Sequence, residues 1–309
     1  MLIKVLGSAA GGGFPQWNCN GTQSAAVRAR VPGFRPRTQS SLAVSANGRD
    51  WMLLNSSPDL RQQINDTPEL WPHSDAGPRN SPIKAVVLTN GDVDHIIGLI
   101  NLREAQPFSV YGSDRVLATL DANSVFNVLA KDKVPRYELP LGEPRAISGA
   151  GSSLGITIDA FAVPGKVALY LEDAAAPGFG SKAGDTIGLK VTEQATGKAF
   201  FYIPGCAAID GPLSNRLRGA SVVFFDGTLF TDDEMLRQGL MAKTGSRMGH
   251  MNISGPDGSI AAFAKLGVAR KIFVHINNSN PVLDEKSDAR KTAEAAGWEI
   301  GYDGMEVRL

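Results

Sequence analysis

The chain has 309 residues, of which 43% are hydrophobic and 20% charged, and its 31 basic and 31 acidic side chains cancel. That balance gives no electrostatic case for nucleic acid or an anionic membrane, and no apolar run of about 18 residues is present to span a bilayer. The 2 cysteines, Cys19 and Cys206, make no disulfide framework, so the default compartment is the cytoplasm.

Met1–Leu6 reads as a first strand rather than a signal peptide, because no basic segment precedes a longer apolar core. It runs into Gly7-Ser8-Ala9-Ala10-Gly11-Gly12-Gly13, which lacks the Rossmann spacing and has no helical pattern after it. Phe14–Cys19 carries two large aromatics and is expected to form a loop over an active-site mouth. Ala25–Arg37 contains Arg28, Arg30, Arg35 and Arg37 and reads as an irregular excursion, either solvated or facing an acidic substrate. Gln39–Ser45 and Trp51–Asn55 form a hairpin around Asn47-Gly48, a strong turn pair. Asn55–Asp59 can cap a helix over Leu60–Ile64, and a Pro- and Asn-rich loop, with His73 on its surface, covers Thr67–Pro82.

Ala85–Leu88 is a short apolar run rich in β-branched residues, the mark of a buried strand. Ile96, Ile97, Leu99, Ile100 and Leu102 give a helix its apolar face. Between them stand Asn90, Asp92, Asp94 and His95, where ligand sites of α/β folds gather. Asp92 or Asp94 also suits the helix N-cap.

Further along, Phe108–Tyr111 is a strand and Ser113-Asp114 caps a helix through Leu120. Tyr137–Leu141, Ile156–Val163 and Val167–Glu172 are strand candidates. Gly188–Glu193 and Ala199–Ile203 make a hairpin, and Val222–Phe225 is a buried strand ending in Asp226-Gly227-Thr228. Gly258–Leu266 reads as helix, and Lys271–His275 as the last buried strand. Lys286–Ala296 is a helix closed by Gly297, and Met305–Leu309 a terminal strand. No linker interrupts the order. It suits a sandwich of two mixed sheets flanked by helices, of the α/β to α+β class, as one domain over 1–309.

Of 4 histidines, His95, His250 and His275 fall at strand ends or in loops that can meet. A single histidine in such a place is more often structural. Asp94, His95 and His275 together would form a two-His, one-carboxylate set with open positions. That set favours Fe(II) that activates O2, although Zn²⁺ also uses it.

Thr-Asn-Gly-Asp-Val-Asp-His-Ile-Ile-Gly-Leu at 89–99 resembles the metallo-β-lactamase superfamily signature Thr-His-x-His-x-Asp-His-x-x-Gly-Leu. Asn90 and Asp92 stand at its first two His positions, while Asp94 and His95 are kept. The resemblance implies a four-layer αββα sandwich and makes His275 a late-strand metal ligand. It gives His250, in Arg-Met-Gly-His at 247–250, a proton-transfer or substrate-contact role. The mid-chain His position falls near Val163-Pro164-Gly165-Lys166, where no His exists. The bridging Asp position falls at Gly205-Cys206, which puts a thiol in its place.

Several motifs resemble the branch of that superfamily that serves pyrroloquinoline quinone (PQQ) biosynthesis, essentially end to end. They are Gly-Ser-Ala-Ala-Gly-Gly-Gly at 7–13, Pro-Gln-Trp-Asn-Cys at 15–19, Arg-Pro-Arg-Thr-Gln-Ser-Ser at 35–41 and Asn-Gly-Asp-Val-Asp-His at 90–95. Ile-Pro-Gly-Cys at 203–206, Phe-Asp-Gly-Thr at 225–228 and Val-His-Ile-Asn-Asn at 274–278 continue the match. Many members carry Cys-x-Cys-x-x-Cys where this chain has Cys19 alone, and one thiolate cannot build a zinc cage.

The resemblance implies an iron-dependent oxygenase that hydroxylates the tyrosine-derived ring of a cross-linked Glu-Tyr precursor. The alternative is a non-catalytic carrier of PQQ or its precursor towards the periplasm. A one-metal hydrolase is the weakest of the readings. Asp94, His95 and His275 are then the metal ligands, for Fe(II) first and Zn²⁺ second. Asp92, His250 and Cys206 are the candidate catalytic residues, and Arg35, Arg37 and Asn277 the substrate-binding ones. The partners are the precursor and O2, with a homodimer as a candidate assembly and neither nucleic acid nor membrane.

Overall fold

The computed structural model describes residues 1–309. In chain order the first sheet takes β1 (Leu2–Gly7), β2 (Ser41–Ser45), β3 (Trp51–Leu54), β4 (Ile83–Val87), β5 (Ser109–Gly112) and β6 (Arg136–Glu138). The second takes β7 (Arg145–Gly149), β8 (Ser152–Ala162), β9 (Ile187–Glu193), β10 (Ala199–Ile203), β11 (Val222–Asp226), β12 (Arg270–Val274) and β13 (Trp298–Ile300). β14 (Glu306–Arg308) returns to the edge of the first, beside β1. Both sheets are 7-stranded and mixed, in the orders β14-β1-β2-β3-β4-β5-β6 and β13-β12-β11-β10-β9-β8-β7. The helices are α1 (Thr22–Arg28), α2 (Leu60–Asn65), α3 (Val93–Ile96), α4 (Asp114–Ala122), α5 (Gly211–Leu217), α6 (Glu234–Arg237), α7 (Gly245–Met248), α8 (Ser259–Phe263) and α9 (Asp288–Ala295).

Strand periodicity divides the apolar residues among three cores. Val5, Leu54, Val87, Ile158, Phe200 and Phe224 meet between the sheets. Val86 and Leu88 point the other way, against Leu60, Leu99, Val116 and Leu120. Val223, Phe225 and Phe273 pack beneath Leu213, Leu217, Phe263 and Ala293. β11 is an unbroken apolar run because both of its faces are covered. Each such side chain adds about 1.5–3 kcal/mol of transfer free energy. The result is the expected αββα sandwich. No helix is long and apolar enough to cross a membrane.

The Asn47-Gly48 hairpin is present, with Asn47 Oδ1 accepting from the Arg49 and Asp50 amides and Gly48 at φ +73°. Ser113 and Ser287 cap α4 and α9 through their hydroxyls. Two expectations fail. Thr22–Arg28 is helical, so the excursion begins only after it. Val167–Glu172 is not a strand: after Pro164-Gly165 the chain leaves the sheet and makes a 3-10 turn over Leu169–Leu171, all three exposed. Its apolar residues finish at the rim of a cavity rather than in a ladder.

Candidate metal centre

β4 delivers Leu88 to the sheet's end, and the chain turns through Asn90 and Asp92 into α3. Asp92 occupies the N-cap position with extended backbone, but its side chain makes no capping bond. The Asp92 carbonyl accepts from the amides of His95 and Ile96 and starts the turn. The other end is pinned from outside. The Ser56 amide donates to the His95 carbonyl at 2.7 Å and the Gly98 amide to the Ser56 carbonyl at 2.9 Å. A Cβ on Gly98 would lie 2.0 Å from the Ser57 carbonyl oxygen, so glycine is required for this close approach. Gly11 also lies beside the site, and a Cβ there would make only ordinary contact, at 3.5 Å, with the Asp94 carboxylate. The glycine-rich loop thus runs beside an acidic side chain.

His95 is held from behind. Its Nδ1 lies 2.7 Å from Asn90 Oδ1, which also accepts from the Asp92 amide at 3.0 Å. An amide oxygen only accepts, so Nδ1 carries the proton and Nε2 is left with a bare lone pair. That Nε2 is buried, has no hydrogen-bond partner, and lies 3.8 Å from Asp94 Oδ2. Burial pushes the His95 imidazole down to about 4, keeping it neutral. Asn90, at a His position of the signature, therefore orients a ligand without being one.

His275 follows β12 with a left-handed φ of +55°, uncommon for a side chain with a Cβ. Its Nε2 is 3.2 Å from Asp94 Oδ2 and its Nδ1 2.8 Å from Thr228 Oγ1. Burial pushes the Asp94 carboxyl up, but His95 and His275 more than offset it and leave it well below the usual carboxylate range. Burial works against protonated His275 too, yet Asp94 outweighs it and raises the ring. At this separation the Asp94 oxygen and His275 Nε2 share a proton, which a bound cation would replace.

Asp94, His95 and His275 bring their ligand atoms within 4.8 Å of one another. Neighbouring ligands of one small cation stand about 3–3.5 Å apart when each bond is about 2.1 Å. The observed separations, the orphaned Nε2 and the mixed nitrogen and oxygen donors suit a borderline divalent ion.

Asp226, His250 and His275 form a second cluster of the same composition, but here both oxygens of the carboxylate are fully partnered. Asp226 Oδ1 accepts from the Thr228 amide at 3.0 Å and hydroxyl at 2.6 Å. Oδ2 accepts from the Cys206 amide at 2.9 Å and from His250 Nδ1 at 2.6 Å. Burial raises Asp226, while His250 and Thr228 outweigh it and hold the carboxyl down. With Nδ1 committed, His250 keeps Nε2 for the cavity that it lines. The His250 and His275 rings stack at 5.1 Å and 19°. This is a satisfied proton-holding network beside a metal-ready one.

Both clusters open on one cavity of about 470 Å³, of the size that takes a small organic ligand. Asp92, Asp94, His250, His275 and Asn277 all line it. So do Gln16, Asn18 and Cys19, which places the Phe14–Cys19 loop at the mouth as expected. Burial, then Asp94, raises the Asp92 carboxyl. Asn277 donates to Met235 Sδ and Ser279 Oγ.

Three expected site residues are placed elsewhere. Cys206 is buried among the apolar residues behind Asp226, and its thiol donates to the Ala208 carbonyl. Burial raises its pKa steeply, so it offers no thiolate bridge. Arg37 is 5% exposed and spends its guanidinium on Ser8 Oγ at 2.9 Å and the Gly301 carbonyl. Arg35 is exposed and pairs with Glu285 at 2.8 Å. Neither arginine lines the cavity. The residues missed were Asp226 and Thr228, which end β11 beside the end of β12, and the cavity lysines Lys166 and Lys243.

A family model described as the β-lactamase superfamily domain matches residues 50–276. Coenzyme PQQ synthesis protein B of Gluconacetobacter diazotrophicus is 52% identical over 306 residues, covering 99% of this chain and 98% of that protein. The protein of the same name from Bradyrhizobium diazoefficiens is 50% identical over 312 residues, with both chains covered in full. Among solved structures, Zn²⁺-bound PqqB from Methylobacterium extorquens matches with a TM-score of 0.93 at 46% identity, again over the whole of both chains. A diphosphatase from the PhnP family matches with a TM-score of 0.68 at 18% identity, over 100% of this chain and 97% of that one, a likeness of fold alone.

Proposed function

This chain belongs to the coenzyme PQQ synthesis protein B family of the β-lactamase superfamily, and on that premise we propose that it hydroxylates the tyrosine-derived ring of a cross-linked Glu-Tyr precursor of PQQ, using one Fe(II). Its part in PQQ biosynthesis follows from the family. The observation that carries the hydroxylase reading is the two-His, one-carboxylate set at Asp94, with its unpartnered His95 Nε2, opening on a ligand-sized cavity. Asp94, His95 and His275 would hold the ion; Fe(II) held there would supply activation of O2 for attack on an aromatic ring, one oxygen atom entering the ring and the other leaving as water with two protons and two electrons from an external reductant. The same residues would hold Zn²⁺, the ion named for the solved relative.

The chain's own residues do the rest. Asn90 keeps His95 Nε2 aimed at the ion site, and Thr228 does the same for His275. Asp226 fixes the tautomer of His250, whose Nε2 is placed to take the phenolic proton of a bound ring. Asp92, with its carboxyl raised, stands opposite as a second proton-holding group.

The test is anaerobic Fe(II) titration, then O2 and a two-electron reductant such as ascorbate with a tyrosine-like or dihydroxyphenyl compound. Oxygen uptake and a quinone chromophore, both lost in His275→Ala, support hydroxylation. No uptake by folded, iron-loaded protein that still binds quinone without metal would establish the carrier instead.

A further inference from the structure

The cavity has two cationic heads that the chemistry above does not use. Lys166 follows Pro164-Gly165, and its stem lies against Gly249, where a Cβ would meet Lys166 Cγ at 2.8 Å. Gly249, at φ +86°, thus both ends α7 and makes room for the lysine. Lys166 Nζ is 2.6 Å from Glu172 Oε1, and Arg247 pairs with the same carboxylate at 2.9 Å. One carboxylate is therefore shared between two cations, and the group keeps a surplus positive charge. Lys243, half-buried on the opposite flap between α6 and α7, makes no ion pair or side-chain hydrogen bond. Leu169, Leu240 and Met241 line the space near the lysines and are 56%, 40% and 43% exposed. Large apolar side chains left so open at one mouth offer flat contact to a ring, and the Met sulfur adds favourable edge contacts.

We propose that Lys166 and Lys243 form a clamp that holds the substrate's carboxylates in this cavity. The inference rests on the reading of this cavity as the substrate site and adds what recognises the substrate's charge. Lys166 is the fixed arm, held by Glu172, and marks where one carboxylate lies. Lys243 is the unpaired arm and closes on a second carboxylate. The ring lies between them against Leu169, Leu240 and Met241. Arg35 and Arg37, which the sequence nominates for this task, take no part.

Benzoate, isophthalate and benzene-1,3,5-tricarboxylate test this by calorimetry on the purified protein, with metal content and melting temperature checked for each variant. Affinity should rise at least about tenfold from the mono- to the tricarboxylate and fall with added salt. Lys243→Met should remove most of that rise, Lys166→Met the remainder, and Arg35→Met none. A flat series in the wild type, a salt-independent one, or Lys243→Met binding as the wild type does would overturn the clamp. Clamp behaviour without O2 uptake on any tyrosine-like compound would leave the clamp standing and remove the hydroxylase reading. Hydroxylation indifferent to carboxylates would do the reverse.

Discussion

Two clusters of one aspartate and two histidines meet at His275, and they are built to opposite ends. Around Asp94, the buried His95 Nε2 has no partner, and the carboxylate meets only His275 Nε2 at 3.2 Å. Around Asp226, every acceptor has a donor within 3.0 Å. Composition alone does not separate them, since both pass for metal sites by residue type. Hydrogen-bond accounting does. An unsatisfied buried group costs about 1–3 kcal/mol, and the Asp94 cluster recovers that cost only with a cation in place.

The sharpest way to break this contrast is His275→Ala, which belongs to both clusters. It should lower metal affinity by more than about 100-fold and abolish turnover, measured by metal analysis after dialysis and by O2 uptake. Asp226→Asn should separate the two. Turnover should fall by about 10²–10⁴-fold while the protein keeps its ion; loss of the ion would make Asp226 a ligand. Asn90→Ala should act on the other side alone, weakening metal binding by about 10–100-fold with the rate per bound ion unchanged.

The smallest effect concerns acid. Unfolded His95 takes up a proton near its ordinary value of 6.5, and the folded ring only near about 4. Stability from this group is thus fully present above pH 6.5 and is lost as pH falls towards 4, by about 3 kcal/mol in all. His275, raised by Asp94, contributes in the opposite sense, its stabilisation being lost as pH rises. Denaturant unfolding of metal-free wild type against His95→Asn, at pH 7 and pH 5, isolates the His95 part. An equal pH slope in both proteins would show that His95 does not titrate so low.

Much of this was legible from local chemistry. The Asn47-Gly48 turn, the hydroxyl caps at Ser113 and Ser287, and the apolar runs of β4, β11 and β12 announce themselves by residue type. So do Asp94 and His95, because a strand end followed by a helix concentrates them, and His275 stands out as a histidine closing a buried strand. Asp226 did not, since its role depends on a loop that returns His250 to its carboxylate and on β11 lying parallel to β12, which sets neighbouring Thr228 against His275. Val167–Glu172 misled because an apolar run shows which side chains avoid water, not whether a neighbouring strand exists to pair with. Arg37 misled because an arginine in a polar stretch looks solvated until the Gly301 carbonyl and Ser8 hydroxyl converge on it. Lys166 and Lys243 gave no signal at all, as a cavity wall built from two flaps has no local pattern.

The ligand cluster also joins the halves of the sandwich. Asp94 and His95 hang from the first sheet and His275 from the second, 181 residues apart in sequence between Asp94 and His275. An ion shared among them would be a rivet through two plates that otherwise meet by apolar contact, hydrogen bonds and ion pairs such as that of the Met1 ammonium with Glu193. The protein's melting temperature should then report its metal supply. At a free concentration of about 100 times the dissociation constant, occupancy adds about 2.7 kcal/mol, and protein made under metal starvation should be cleared by proteases before it fails as a catalyst.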